Sequence, residues 1–152
     1  DGPALARADS GMAMGAAGAW TASVWLTTAE AETTPTVKKK MLAATSRDTV
    51  RSRSRTGKPT RQLKSAWTDG WHGEHAPDPL PMPLQGLISR PALAKIDKLA
   101  ASGHEGAQRL ATYYVGQAVG LMNTEQSARS VVYDFMKDYA EAAERLAGTL
   151  ED

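Results

Sequence analysis

The sequence predicts an α/β protein whose sheet is not complete within the chain, and three observations carry that reading. Ala19 to Leu26 is a short, nearly continuous apolar run holding Trp20 and Trp25, the pattern of a strand buried on both faces, as in a parallel sheet. Helical signals flank it on both sides, giving the alternation of helix and strand that marks α/β folds. No other segment offers a comparable parallel partner. An interior strand without neighbours leaves backbone N–H and C=O groups unpaired, at a cost on the order of a few kcal/mol for each pair left dry. The sheet is therefore expected to be completed upstream or by another polypeptide.

The elements follow in order. Pro3 sits where the first turn of a helix accepts proline, and Ala4, Leu5, Ala8, Met12 and Met14 continue a helical pattern that Gly15 and Gly18 end. The buried strand comes next. Thr34-Pro35 is a cap followed by a first-turn proline, with Val37, Met41, Leu42 and Thr45 as the inner face of a second helix. Asp48 to Lys64 reads as two short extended segments around a turn at Gly57, an edge ribbon with exposed polar faces. Trp67, Trp71 and the prolines Pro77, Pro79, Pro81 and Pro83, with Pro91 just beyond, predict an extended connection without regular structure.

Ser89 then reads as a cap before Pro91, with Leu93, Ile96, Leu99 and Ala100 on one face and Gly103 and Gly106 as the stop. A second helix is expected over Ala107 to Met122. Gly116 and Gly120 inside it each cost about 1 kcal/mol relative to alanine, which calls for close packing or a ligand as the reason. The last helix is the clearest. Asn123 or Thr124 caps it, Gln126 completes a capping box, and Ala128, Val131, Val132, Phe135, Met136, Tyr139, Ala142, Ala143 and Leu146 recur at helical spacing up to Gly148.

Composition narrows the function classes. At 152 residues, with 41% hydrophobic and 23% charged residues, the chain has the balance of one globular domain. The absence of cysteine excludes a disulfide framework, thiol catalysis and cysteine-held zinc or iron–sulfur sites, and a reducing, cytoplasmic setting is expected. No apolar run approaches the roughly 18 residues of a membrane span. The chain does not begin with Met and opens inside an alanine-rich helical pattern, so an N-terminal part is expected to be missing. From Lys38 to Lys64 the only acid is Asp48, among ten lysines and arginines. Such a run attracts phosphate or an acidic surface, and a nucleic-acid or protein-binding module is the rival reading from another class. No aromatic interleaves these basic residues, so nucleic acid is not the expected partner. His72-Gly73-Glu74-His75 lacks a third ligand and reads as a polar loop, not a metal site, and His104 reads as a surface turn residue. Trp20 and Trp25 are expected in the core, and Trp67 and Trp71 as anchors of the loop that holds them.

Several patches share one resemblance. Gly15-Ala16-Ala17-Gly18-Ala19-Trp20-Thr21-Ala22-Ser23-Val24-Trp25-Leu26 resembles the last barrel strand of the nitronate monooxygenase family, also called 2-nitropropane dioxygenase-like. The likeness continues through Pro35-x-Val37-Lys38, Asp48-Thr49-Val50, Thr56-Gly57-Lys58-Pro59-x-Arg61 and Tyr114-x-Gly116-Gln117-x-x-Gly120. What it implies is the C-terminal portion of an FMN-binding (β/α)8 barrel of the TIM type, with its last strand and flanking helices, plus a mainly helical C-terminal cap. The implied divisions are 1–47 as the last βα unit with its phosphate-binding strand end, 48–66 as the ribbon, 67–90 as the proline-rich connection and 91–152 as the helical region.

The resemblance also implies a cofactor, FMN, and site residues. Barrels of this kind hold phosphate beside the loops after their last two strands, and the positions matching the family's phosphate-touching pair are Ala22 and Ser23. Ala22 stands where the family usually has glycine, and Ala17 where it usually has Asp. Gly116 and Gln117 are the candidates for substrate or flavin contact. The expected catalytic base lies upstream of this chain, which is expected to be inactive alone. The implied substrate is a nitronate or a related small or coenzyme A-thioester molecule, and the implied partner is the missing N-terminal barrel portion. Leu26 to Glu32, Pro79 to Pro83 and Met122-Asn123-Thr124 are similar to actinobacterial members acting on thioesters in steroid-ring breakdown. A flavin-dependent enoyl-thioester reductase or dehydrogenase of that kind is the alternative activity, and a remnant without function of its own is a further reading.

Overall fold

The computed structural model describes residues 14–149, and the helix expected from Pro3 lies outside them except for Met14. The apolar run does not form a strand. Its second half closes into a 3-10 helix, Ser23–Thr27, and the residues before it carry no regular structure. No described segment pairs with residues 19–26 as a strand, and the backbone bonds to itself; a parallel bridge, Thr28 with Gln126, falls just past the run. Trp25 N–H reaches Ala22 C=O and Thr28 N–H reaches Trp25 C=O, both at 3.3 Å. Trp20, expected in a core, is 98% exposed.

Helix α1, Pro35–Ala43, starts at its proline and buries Val37 and Met41, while Leu42 is half-buried and Thr45 exposed. Thr34 precedes it without a side-chain capping bond. Strands β1, Thr49–Ser52, and β2, Thr60–Leu63, pair antiparallel, with Thr49 opposite Leu63 and Arg51 opposite Arg61. Gly57 makes the turn with φ +83°, a left-handed conformation that favours glycine. It is also overlaid by the proline-rich connection: a Cβ there would stand 2.2 Å from Leu80 O and 2.7 Å from Met82 N.

The ribbon is less exposed than its polarity predicts. Ser52, Ser54 and Gln62 are fully buried, because other polar side chains meet them. Gln62 Nε2 donates to Ser52 C=O at 3.2 Å, and Gln85 Nε2 donates to Ser54 C=O at 2.8 Å. Beyond β2 the chain returns at Ala111 to Gly116. There Leu63 N–H donates to Tyr113 C=O at 2.9 Å and Val115 N–H to Arg61 C=O at 3.3 Å. These residues were expected inside a helix over 107–122. The helix is instead a short α4, Glu105–Leu110, followed by this extended stretch and a second 3-10 helix, Gln117–Leu121.

Two helices occupy the stretch expected to be irregular or to open at Ser89. Helix α2, Ala66–Trp71, begins where Thr68 Oγ1 accepts from Ser65 N–H and donates back to Ser65 C=O. Helix α3, Leu84–Ala101, begins well before Ser89, which is buried within it and donates its hydroxyl to Arg55 C=O. Pro91 is therefore interior to α3 and not at its first turn. It lies on the exposed side, in a helix whose other face is fixed by Leu93, Ile96 and Ala100 in the core. Packing thus outweighs the roughly 3 kcal/mol an interior proline costs. Gly103, at φ +90°, ends α3. Its N–H reaches Ala100 C=O and the His104 N–H reaches Leu99 C=O, the paired bonds of a left-handed helix stop. Gly106, read as part of that stop, lies inside α4.

The core joins Val37 and Met41 of α1, Leu63 of β2, Leu93 and Ile96 of α3, Ala107 of α4, and Val115, Val119 and Met122. Gly120 packs so closely on the end of α1 that a Cβ would lie 2.6 Å from Ser46 N, which accounts for the glycine by packing. Helix α5, Ala128–Gly148, is capped by Ser127, whose hydroxyl accepts from Ser130 N–H at 3.0 Å, and not by Asn123 or Thr124. Glu30 accepts from Ala128 N–H at 2.8 Å and ties this start to the first 3-10 helix region. Of the apolar face expected on α5, only Val131 is buried, while Val132, Met136, Tyr139 and Leu146 are exposed. The described architecture is a mainly helical α/β unit with one short antiparallel strand pair and no closed barrel.

Candidate functional site

The two patches singled out at opposite ends of the sequence meet. Gly116 N–H donates to Ser23 Oγ at 2.9 Å, across 93 positions of chain. Each partner is placed by its own element. Ser23 opens the first 3-10 helix, whose turn is pinned by Trp25 Nε1 donating to Thr21 C=O at 3.0 Å and by the Trp25 ring against Phe135, centroids 6.2 Å apart. Gly116 ends the extended stretch bonded to β2 and precedes the second 3-10 helix. A Cβ on Gly116 would sit 3.4 Å from Ser23 Oγ, at the edge of ordinary van der Waals contact.

The geometry bears on whether these residues suit a phosphate. Ser23 Oγ uses a lone pair on Gly116 N–H, and its own proton has no acceptor among the described residues. A hydroxyl so polarised is a ready donor to an anion. Ala22 has φ −125°, outside the left-handed region, so alanine there carries no backbone strain, although the family usually has glycine. Ala22 is exposed, and its methyl is not buried against another segment. Gln117 is exposed, and its side-chain amide makes no hydrogen bond among the described residues. It begins a 3-10 turn and does not lie on the α-helix face expected for it.

Residues that sequence reasoning did not single out brace this junction. The Arg55 guanidinium lies 4.7 Å from the Tyr114 ring centroid and 5.2 Å from that of Tyr113, and Nη1 donates to Thr112 C=O at 2.8 Å. This clasp fixes the approach to Gly116. Only the adjacent pair of tyrosines hinted at it, because Arg55 merged with the basic run. Burial pushes the nearby Asp97 carboxyl above its usual range, and Arg55 pulls it partly back. Lys40 Nζ donates to Arg109 and Ala111 C=O at 3.1 and 2.8 Å, and burial holds its pKa below the usual lysine value.

The other candidates sit elsewhere. His72 and His75 are exposed in the loop after α2. His104 caps α4 by accepting from Ala107 N–H at 3.2 Å. Trp67 and Trp71 pack on one another, centroids 6.0 Å apart, as anchors of that loop. A groove beside α1 is bordered by Thr33, Pro35, Leu42 and Lys38, but the Lys38 ammonium is already held by Glu125 at 3.2 Å and by Thr28 C=O at 2.7 Å. Among the described residues no helix is long and apolar enough to cross a membrane.

Comparison with known proteins gives a consistent picture. The family model described as nitronate monooxygenase matches residues 7–138. A protein of Mycobacterium tuberculosis named as a candidate monooxygenase, Rv1533, is 53% identical over 141 residues. The match takes in 92% of this chain and 37% of that protein, so the chain spans just over a third of its curated relative. Among solved structures, the M276A mutant of FabK from Thermotoga maritima superposes with TM-score 0.61 at 24% identity, over 93% of this chain and 40% of that one. FabK from the same organism gives 0.57 at 24%, over 82% and 37%. At that identity the likeness is one of fold: a mainly helical α/β portion of a larger barrel-type chain.

Proposed function

The chain belongs to the nitronate monooxygenase family, and from that premise we propose that it is the C-terminal segment of an FMN-dependent oxidoreductase acting on a nitronate or a related small or thioester substrate. The observation that carries the reading is the Gly116 N–H to Ser23 Oγ hydrogen bond, which joins the two patches singled out for cofactor and substrate contact. A bound flavin mononucleotide supplies the redox chemistry, and the protein supplies binding and orientation.

Each residue then has a defined task. Ser23 would hold the flavin phosphate by a hydrogen bond from its hydroxyl, whose oxygen is fixed by the Gly116 N–H. Ala22 leaves the approach to that phosphate open. Gln117, with an unengaged amide, hydrogen-bonds the substrate or the flavin ring. The catalytic base comes from outside this segment.

The same reading gives the exposed apolar surface a purpose. The α5 face, where Val132, Met136 and Tyr139 are exposed and Met136 is 66% exposed, would carry surface that the rest of the barrel covers, since apolar area exposed on one helix face marks an interface. The test is flavin content. Ser23→Ala in the intact protein should lower the FMN retained on purification, with the fold kept. Unchanged flavin stoichiometry would remove Ser23 from the site.

A further inference from the structure

The β1–β2 register sets Arg51 directly across from Arg61. Like charges in that position repel and weaken a strand pair, and this ribbon has only four residues in each strand. Among the described residues no acid pairs with either of them: the ion pairs are Lys38 with Glu125 and Lys137 with Glu141. The only acid of the basic run, Asp48, is engaged elsewhere. Its Oδ2 accepts the Thr45 N–H and the Thr45 hydroxyl, both at 2.7 Å.

The pair is also held and well placed. Arg61 Nη1 donates to Thr49 Oγ1 at 3.0 Å, which orients the guanidinium while its remaining N–H groups have no described acceptor. Arg61 C=O accepts from Val115 N–H, so Arg61 stands across from the residue before Gly116 and the junction with Ser23, and Arg51 lies one strand further out. Two arginines directly opposite one another share one face of the ribbon, neither paired with a carboxylate among the described residues, and guanidinium forks match the oxygens of a phosphate.

The geometry points to a phosphate clamp: Arg51 and Arg61 bind a phosphate or diphosphate group of a ligand seated at the Ser23–Gly116 junction. Two ligands carry that chemistry there, the flavin through its own phosphate and a substrate through a phosphorylated carrier. The clamp concerns these arginines and stands independently of whether Ser23 holds flavin.

The probe is inorganic pyrophosphate, titrated by calorimetry into flavin-loaded and flavin-stripped intact protein, alongside the Arg51→Gln/Arg61→Gln double variant. Binding to both forms assigns the clamp to a substrate phosphate, and binding to the stripped form alone assigns it to the flavin phosphate. In either case the double variant should bind roughly tenfold or more weakly, and added salt should weaken the wild-type interaction. Because the substitutions remove a repulsion, the melting temperature should stay level or rise, which separates lost binding from lost folding. Pyrophosphate binding by neither form, or equal binding by the double variant, would overturn the clamp. A Ser23→Ala protein that keeps its flavin would refute the cofactor role of Ser23 and leave the clamp intact.

Discussion

Gln85 is a fully buried amide that ties the proline-rich connection to the hairpin. Its Oε1 accepts Leu80 N–H at 3.0 Å and its Nε2 donates to Ser54 C=O at 2.8 Å. Gln85→Met keeps the volume and removes both bonds. The Ser54 carbonyl, buried at zero exposure, is then left without that partner, at about 1–3 kcal/mol, and the lost Leu80 bond adds about 1 kcal/mol. The expected loss is about 2–4 kcal/mol of unfolding free energy. Urea denaturation followed by tryptophan fluorescence measures it, because Trp67 and Trp71 lie in the neighbouring helix α2. Hydrogen exchange at the Leu80 amide gives a local check and should quicken. Gln85→Glu separates the two bonds: it keeps the acceptor for Leu80 and sets a carboxylate against the Ser54 carbonyl. It should be worse than methionine at neutral pH and recover as acid protonates it. A Gln85→Met protein within about 0.5 kcal/mol of wild type, the range of ordinary surface changes, would refute the reasoning.

Three further outcomes are expected. Gly57→Ala should cost about 3 kcal/mol or more, since it combines a left-handed φ with a backbone oxygen 2.2 Å from the new Cβ, and a thermal melt within a degree of wild type would contradict it. Lys40→Met should destabilise by about 1–3 kcal/mol by stripping the ammonium from the Arg109 and Ala111 carbonyls, read in the same urea experiment. Asp97 has its folded pKa raised by burial, so the folded state binds the proton more tightly than the unfolded chain. Its contribution to stability therefore falls as pH climbs from the ordinary carboxylate value through the raised one. Asp97→Asn should flatten that slope between mildly acidic and neutral pH, and an unaltered stability–pH profile would count against it.

How far the structure was legible in the sequence varied with how local the cause was. Thr34-Pro35 with Val37 and Met41 located α1, and Gly57 located the ribbon's turn, because a first-turn proline and a left-handed glycine act within a few residues. Pro91 misled for a tertiary reason: Leu93, Ile96 and Ala100 hold α3 in the core and carry it through the proline. The helix expected over 107–122 gave way to an extended stretch because β2 offered unpaired backbone to Tyr113 and Val115, a partner no local pattern records. The glycines within that helix were the available warning. The apolar run at 19–26 had the composition of a buried strand and no strand beside it, so the expectation failed for the reason that made it noticeable. At the candidate site the residue types were legible separately. The bond from Gly116 to Ser23 was not, because it depends on two 3-10 turns and on the Arg55 clasp between the tyrosines.

The buried ribbon face deserves to be considered as a lock on alignment. Ser52, Ser54, Gln62, Gln85 and Thr112 sit in the interior, where Gln62, Gln85 and Thr112 donate to the backbone carbonyls of Ser52, Ser54 and Leu63, Ser54 Oγ donates to Gln62 Oε1 and Ser52 Oγ accepts from Ser54 N–H. An apolar interior tolerates a strand that slides, since one methyl group replaces another. Here a shift of one residue would move Gln62 and Ser52 to the face that now carries Arg61 and Arg51, and unmake those bonds together. The two four-residue strands thus admit a single alignment, and with it a single position for Val115 and the glycine that follows. Exchanging these polar residues one at a time should be poorly tolerated, whereas replacing the whole set with matched apolar side chains would keep a packed interior and lose the uniqueness of the pairing.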